Sequence, residues 1–226
     1  MISVIIPVLN EAAGITACLD MLAPYGDRLE VIVADGGSSD ETPQIVEQYP
    51  VKLVHSPIGR GVQMNSGAAI TTGDILLFLH SDTRLPADFI ETIETVLAQP
   101  QTVAGAFRLE IDDSQSSLRW IEWTVQWRSQ FWSLPYGDQA IFVKTNVFRA
   151  LGGYKELPIM EDYEFVKRLK KQGRITLAST AVKTSARRWQ KLGVLRTTLL
   201  NQVMIFGYHL GINPETLRQW YRQQSY

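Results

Sequence analysis

The stretch "GDILLFLHSDTRLP", residues 73–86, runs a short apolar strand, Ile75 to Leu79, straight into an imidazole and a carboxylate, His80 and Asp82, ahead of a Thr-Arg-Leu-Pro turn. A run this apolar fits a strand covered on both faces, as in parallel sheets flanked by helices. The polar residues then fall at the strand's carboxyl end, the edge where open α/β sheets bind their ligands.

The preceding sequence repeats the pattern. "ISVIIPVLN" (2–10) is an apolar run closed by Pro7 and Asn10, and "EAAGITACLDMLAPY" (11–25) has helical spacing with Ile15, Leu19 and Leu22 on one face. "LEVIVADGG" (29–37) reads as a second strand ending in Asp35, and "SSDETPQIVEQY" (38–49) opens with Ser38 three residues before Glu41, the spacing of a capping box. "VKLVHS" (51–56) is a third strand and "GVQMNSGAAIT" (61–71) a helix. Alternation of this kind predicts an α/β fold with a Rossmann-like, mostly parallel central sheet flanked by helices. Asn10-Glu11, Asp35 and His80-Ser81-Asp82 would gather along one edge.

Beyond residue 100 the character changes. "VAGAFRLEI" (103–111) and "QAIFVKT" (139–145) read as strands around a tryptophan-rich insert, and "MEDYEFVKRLKKQG" (160–173) as a helix with acids in its first turn and bases in its last, as the helix dipole favours. "ITLASTAVKTSA" (175–186) is one or two strands, followed by helices at 189–210 and 214–224. Trp120, Trp123, Trp127 and Phe131 lie on one helical face, a pattern that points first to core or partner packing and second to an apolar channel or a membrane surface. With no repeat, low-complexity tract or flexible linker, residues 1–226 read as one domain.

Composition narrows the classes. A net charge of −1 and a pI near 6.3 argue against a nucleic-acid binder. The single cysteine, Cys18, excludes an internal disulfide and fits a reducing compartment, where it packs as a small apolar residue. A strand pattern starts at Ile2 with no positively charged leader before it, and no apolar run reaches the length of a membrane span. The expectation is a cytoplasmic protein, with contact to the cytoplasmic face of a membrane left open.

Neither a P-loop nor a Gly-x-Gly-x-x-Gly fingerprint is present; Gly59-Arg60-Gly61 lacks the third glycine. A diphosphate bound at this edge would need another counter-charge, and a divalent cation on a strand-end carboxylate such as Asp82 supplies one. As a bare residue type, Asp82 serves equally well as a turn cap.

Taken in order, "SVIIPVLNE", "VIVADGGSSDET", "GRGVQMNSGA", "LLFLHSDT" and "MEDYEFVKRL" resemble family 2 glycosyltransferases of the GT-A fold over residues 1 to about 190. "HSDTRLP", "GDQAIFV", "LGGY", "PIMEDYEF" and "TSARRW" are similar to a small bacterial subgroup labelled arsenosugar-biosynthesis-type or diaponeurosporenoate-type. The resemblance implies a nucleotide-sugar-binding half (1–100), an acceptor and catalytic half (101–190) and C-terminal helices (191–226). It implies a metal-dependent, inverting transfer of a sugar from a nucleotide-diphosphate donor to a hydroxyl acceptor, which the apolar features would make hydrophobic or lipid-linked.

Roles follow position by position. Pro7, Asn10 and Glu11 would contact base and ribose, Asp35 would hold the base, and Arg60 and Ser81 would lie near the nucleotide or diphosphate. Asp82 matches the last aspartate of the family's Asp-x-Asp motif, which binds Mn²⁺ or Mg²⁺. His80 replaces the first, as a metal or ribose ligand or as packing beside the nucleotide. Asp162 matches the general base, and Glu161 positions the loop or the acceptor. Arg188, with Arg187 and Trp189, is similar to the Gln-x-x-Arg-Trp motif of processive members, but Ser185 stands in place of the glutamine. The arginine pair either clamps the diphosphate or is solvated. Asp138, Gln139 and Trp189 would line the acceptor side. Two other readings are a sugar nucleotidyltransferase, whose glycine-rich first loop is missing, and a non-catalytic nucleotide-binding module. A homodimer through the C-terminal helices is a further expectation.

Overall fold

The computed structural model describes residues 1–112, 137–185 and 192–225. Its strands are β1 (Ile2–Val8), β2 (Leu29–Asp35), β3 (Lys52–His55), β4 (Ile75–Phe78), β5 (Thr83–Arg84), β6 (Thr102–Asp112), β7 (Phe142–Lys144) and β8 (Arg174–Ser185). The helices among these residues are α1 (Ala12–Leu22), α2 (Thr42–Val46), α3 (Arg60–Ala69), α4 (Phe89–Leu97), α5 (Thr145–Ala150), α6 (Glu161–Leu169), α7 (Val194–His209) and α8 (Pro214–Ser225). The strands form one sheet in the order β3-β2-β1-β4-β7-β6-β8-β5. β1 pairs in parallel with β2 and β4, and β2 with β3, while β7 runs antiparallel between β4 and β6.

The first four strands read from the sequence are thus parallel neighbours. Apolar side chains on both faces explain why: Val4, Ile6, Val8 and Val33 pack with Ile15, Cys18 and Leu19 of α1 and Ile93 of α4. Ile5, Leu76 and Phe78 pack on the other face with Met64 of α3, Phe148 of α5 and Phe165 of α6. Cys18 is buried, and burial, with Asp82 nearby, pushes its thiol up to about 12, so it behaves as the small apolar residue expected.

Two local readings are corrected. Pro7 does not close β1; it lies inside the strand opposite Ala34. The Ile5 carbonyl accepts from the Leu79 N–H, so odd-numbered residues of β1 turn their polar groups toward β4, and that ladder ends at Ile5–Phe78. The donor missing from Pro7 therefore falls beyond the last pairing, which is why proline is tolerated in a central strand. The capping box at Ser38 and Glu41 does not form. The Ser38 hydroxyl donates to Asp35 instead, and Asp40 accepts the N–H and hydroxyl of Thr42 at the start of α2.

One pairing bends the sheet. Thr83 of β5 pairs antiparallel with Thr184 of β8, although three strands separate β5 from β4 in sheet order. From Phe78 to Thr83 the chain reaches at most about 18 Å, whereas four strand spacings in a flat sheet come to about 19 Å. A turn closed by the Thr83 N–H on the His80 carbonyl shortens the reach further. The sheet must curl so that β8 returns toward the end of β4, and His80-Ser81-Asp82 span the gap.

The opposite edge is fixed by Glu30. Its carboxylate accepts from the Ser3 hydroxyl at 2.5 Å, Lys52 at 2.6 Å and the Thr72 N–H at 2.8 Å, which joins β1, β2, β3 and the entry to β4. Partial burial opposes ionisation, yet these bonds hold the carboxyl at about 2, against an ordinary 4.5. A pKa lowered on folding stabilises the fold above the unfolded value, and the gain is lost as pH falls through the folded one. Glu30→Gln should therefore cost about 1.5–3 kcal/mol at pH 7, measured by urea unfolding. The gap between the two proteins should close as pH falls from about 5 to 2, and a gap independent of pH would refute the assignment.

Candidate active site

In this strand order the chain steps outward from β1 to β2 and β3, then returns to the other side of β1 for β4. A crevice opens at such a reversal, beyond the carboxyl ends of the two diverging strands. Leu9-Asn10-Glu11 leave β1 on one side and Leu79-His80-Ser81-Asp82 leave β4 on the other.

The β1 and β2 ends are sewn together. Ser38 Oγ accepts from the Asn10 N–H at 2.9 Å, the Ser39 N–H donates to Asn10 Oδ1 at 2.8 Å, and the Glu11 N–H donates to Thr42 Oγ1 at 2.8 Å. Asn10 takes φ 56°, a conformation asparagine tolerates better than most residues. From α3, the buried Gln63 amide donates to the Val8 carbonyl at 2.6 Å and the Ala34 carbonyl at 3.0 Å. Sequence reading missed this brace; a glutamine in an otherwise small-residue helix was its one signal.

Asp35, expected to hold the base, is 1% exposed. Its oxygens accept from the Gly37 and Ser38 N–H groups and the Ser38 hydroxyl, and His55 Nδ1 lies 3.5 Å away. The aspartate shapes the glycine loop above it, and His55, exposed beside it, is a polar group that sequence reading passed over.

Four expected residues meet across the crevice. Asp162 Oδ2 accepts from the Gly137 N–H at 2.8 Å. The point where a Cβ on Gly137 would sit is 3.2 Å from Asp162 Oδ2 and 3.4 Å from His80 Nε2, so both side chains line the recess that this glycine leaves open. Glu161 is buried and pairs with Arg60 at 3.5 Å. Burial pushes the Glu161 carboxyl above the ordinary range, Arg60 opposes the rise and Asp162 adds to it. Arg60 stands among protein groups yet leaves 54% of its side-chain surface open. Burial, and then the charge of Arg60, drive His80 down to about 3, so the imidazole is neutral with a lone pair to offer.

Asp82 is half-buried and Ser81 nearly buried. Among the described residues neither the Asp82 carboxylate nor the His80 imidazole is held by a hydrogen bond or ion pair, and no three His, Cys, Asp or Glu side chains converge as a complete metal site. Two unengaged groups one residue apart, an anionic oxygen and a neutral imidazole, suit a divalent cation whose remaining ligands come from elsewhere.

The residues expected on the acceptor side are described only in part. Gln139 is fully buried and its amide donates to the Phe107 carbonyl at 3.0 Å, which braces the turn carrying Asp138. Arg187, Arg188 and Trp189, like Trp120, Trp123, Trp127 and Phe131, lie outside the described residues.

The loop before Asp162 is clamped by residues to which sequence reading gave no such role. Asn65 exchanges two 2.8 Å hydrogen bonds with the backbone of Tyr154. Arg168 donates to the Leu151 and Gly153 carbonyls, both at 2.7 Å, and to buried Glu164, which also binds Lys155 at 2.8 Å. Met160, the residue before Glu161, is held at φ 69°, a strained conformation of the sort that collects at functional sites.

A curled, mostly parallel sheet with carboxylates converging at its reversal point is the architecture of a GT-A glycosyltransferase. The chain belongs to glycosyltransferase family 2: the sequence profile described as "Glycosyl transferase family 2" matches residues 3–154. A PGL/p-HBAD biosynthesis glycosyltransferase of Mycobacterium tuberculosis is 30% identical over 176 residues, covering 73% of this chain and 68% of the relative. Among solved structures, residues 1–349 of TarS from S. aureus superpose with a TM-score of 0.64 at 21% identity, over 87% of this chain and 63% of that one. TarS has also been solved with UDP-GlcNAc. The mannosyltransferase PcManGT from Pyrobaculum calidifontis, in complex with GDP-Man and Mn²⁺, gives a TM-score of 0.68 at 20% identity over 99% of this chain and 72% of that one. Family membership makes the protein a glycosyltransferase and sets aside the nucleotidyltransferase and non-catalytic readings.

The brace over the β1–β2 junction is testable. A Cβ on Gly36 would lie 2.9 Å from Gln63 Cδ, and two hydrogen bonds prevent that side chain from yielding. Gly36→Ala should cost about 1–3 kcal/mol. Combined with Gln63→Ala, its cost should fall well short of additivity in urea unfolding; strictly additive losses would show that the two do not touch.

Proposed function

We propose that the protein transfers a sugar from a nucleotide-diphosphate donor to a hydroxyl acceptor by a single inverting displacement, with Mn²⁺ or Mg²⁺ at His80 and Asp82. The observation that carries this reading is the shared recess at Gly137, which puts the possible metal ligand His80 and the carboxylate of Asp162 side by side. The donor complexes of TarS and PcManGT support the donor class and, for PcManGT, the metal.

The chain's groups divide the work. The nucleoside sits over the Asn10–Glu11 and Gly36–Ser39 loops, within reach of His55. Arg60 is placed to meet the diphosphate, with 54% of its side-chain surface open while it pairs with Glu161. Glu161 is its positioning residue: the buried carboxylate keeps the guanidinium aimed across the crevice. Asp162 accepts the proton of the acceptor hydroxyl as that oxygen attacks the anomeric carbon and the bond to the diphosphate breaks. Its two hydrogen bonds, from Gly137 and Tyr163, fix the carboxylate and leave lone pairs for that proton. A divalent cation would supply charge neutralisation for the departing diphosphate. One displacement inverts the anomeric configuration.

Calorimetric titration with UDP and with GDP, with and without Mn²⁺, tests the donor site. One diphosphate should bind in a metal-dependent manner, and Asp82→Ala should weaken that binding by at least about tenfold, as expected for loss of a ligand. Binding of neither diphosphate, or binding indifferent to both metal and Asp82, would overturn the assignment.

A further inference from the structure

The C-terminal helix pair carries an apolar face that the described part of the chain leaves open. Inward, Leu200 and Met204 of α7 and Leu217 of α8 are buried with Met160 and Tyr163, next to the catalytic Asp162. Outward, Leu199, Val203, Phe206 and Leu210 are 50–66% exposed. Their spacing of four, three and four residues sets them in a stripe along one side of the helix. Trp220, on α8, is exposed as well. A helix apolar on both sides is normally covered on both sides.

Charge identifies what covers it. α7 contains no Asp or Glu in its 16 residues, and the exposed Arg196 lies one turn before the stripe. On α8, exposed Arg222 lies two residues from Trp220. In the sequence as a whole, residues 186–226 hold six Lys/Arg against one Glu, while residues 1–185 hold 16 Lys/Arg against 22 Asp/Glu. A near-neutral chain thus carries its net positive excess in the C-terminal segment of its sequence, the segment that includes α7 and α8. Leucine, phenylalanine and tryptophan flanked by arginine make the composition of a helix that lies in a membrane interface, where each basic residue near an anionic surface adds about 1 kcal/mol. A seam for a second copy would carry paired acids and bases beside the stripe, and α7 has no acid to contribute. Among the described residues no helix is long and apolar enough to cross a membrane, so the pair would lie on the surface.

We propose that α7 and α8 dock on an anionic lipid surface through Leu199, Val203, Phe206, Leu210 and Trp220, with Arg196 and Arg222 facing the headgroups. The Tyr163 hydroxyl meets His209 Nε2 at 2.5 Å, which ties the docking helix to the helix bearing Asp162 and sets the crevice close to the lipid. The proposal stands apart from donor chemistry.

Flotation of the full chain with vesicles of equimolar phosphatidylcholine and phosphatidylglycerol, beside pure phosphatidylcholine, tests it. The chain should float with the anionic vesicles and be released by high salt. Leu199→Gln combined with Phe206→Gln should weaken binding roughly tenfold or more, and Arg222→Gln several-fold, with circular dichroism unchanged. No flotation with anionic vesicles, or undiminished flotation of these variants, would overturn it. So would a dimer in sedimentation velocity that the double variant dissociates while vesicles leave the parent unbound.

Discussion

The site depends on the reversal of strand order at β1. Because β2 and β4 both pair with β1 from opposite sides, their exit loops must part above it, and the crevice between them is a consequence of topology before any side chain is considered. Pro7 lies where β1 parts from β4. Across the other junction, the Gln63 amide binds the Val8 and Ala34 carbonyls and keeps β1 and β2 level at their ends. One wall is therefore rigid, and the other is the four-residue span from Leu79 to Asp82, pinned at its far end by the pairing of Thr83 with Thr184.

The second half of the chain delivers the Asp162 carboxylate to this crevice. Glu161 and Asp162 open α6, and the loop ahead of them is held from two directions: by Asn65, on α3 in the first half of the chain, and by Arg168, on α6 itself. Such redundancy is what allows Met160 to persist at a positive φ, a strain of order 1–3 kcal/mol. With Gly137 bonded to Asp162 from a third segment, the carboxylate has little freedom of its own.

Much of this was legible in the sequence, and the pattern of success has physical causes. The parallel strands announced themselves because burial on both faces leaves no polar alternation. Asn10, His80, Asp82, Glu161 and Asp162 were placed correctly at strand or helix ends because polar residues that interrupt apolar runs mark those ends. What stayed hidden was long-range. The curl that brings β8 to Thr83 depends on partners about 100 residues apart. The Ser38–Glu41 spacing suggested a cap, but Asp35, three residues away, had first claim on the Ser38 hydroxyl. The sequence also could not show that Asp35 and Gln139 are buried and bonded to the protein, Asp35 by the Gly37 and Ser38 N–H groups and Gln139 to the Phe107 carbonyl. The charges of Glu164 and Arg168 read as matching the helix dipole, and the structure adds that they pair with each other and brace the preceding loop.

The central claim is that Asp162, fixed beside His80 in the Gly137 recess, takes the proton of the attacking hydroxyl. Asp162→Asn keeps the shape and one of the two backbone hydrogen bonds, from Gly137 or Tyr163, while removing the base. Parallel measurement of diphosphate binding and of donor-sugar turnover, to water or to an added acceptor, decides the matter. The account predicts unchanged binding with turnover reduced by roughly 10²–10⁴-fold, the range for loss of a general base. Turnover preserved alongside normal binding would contradict it.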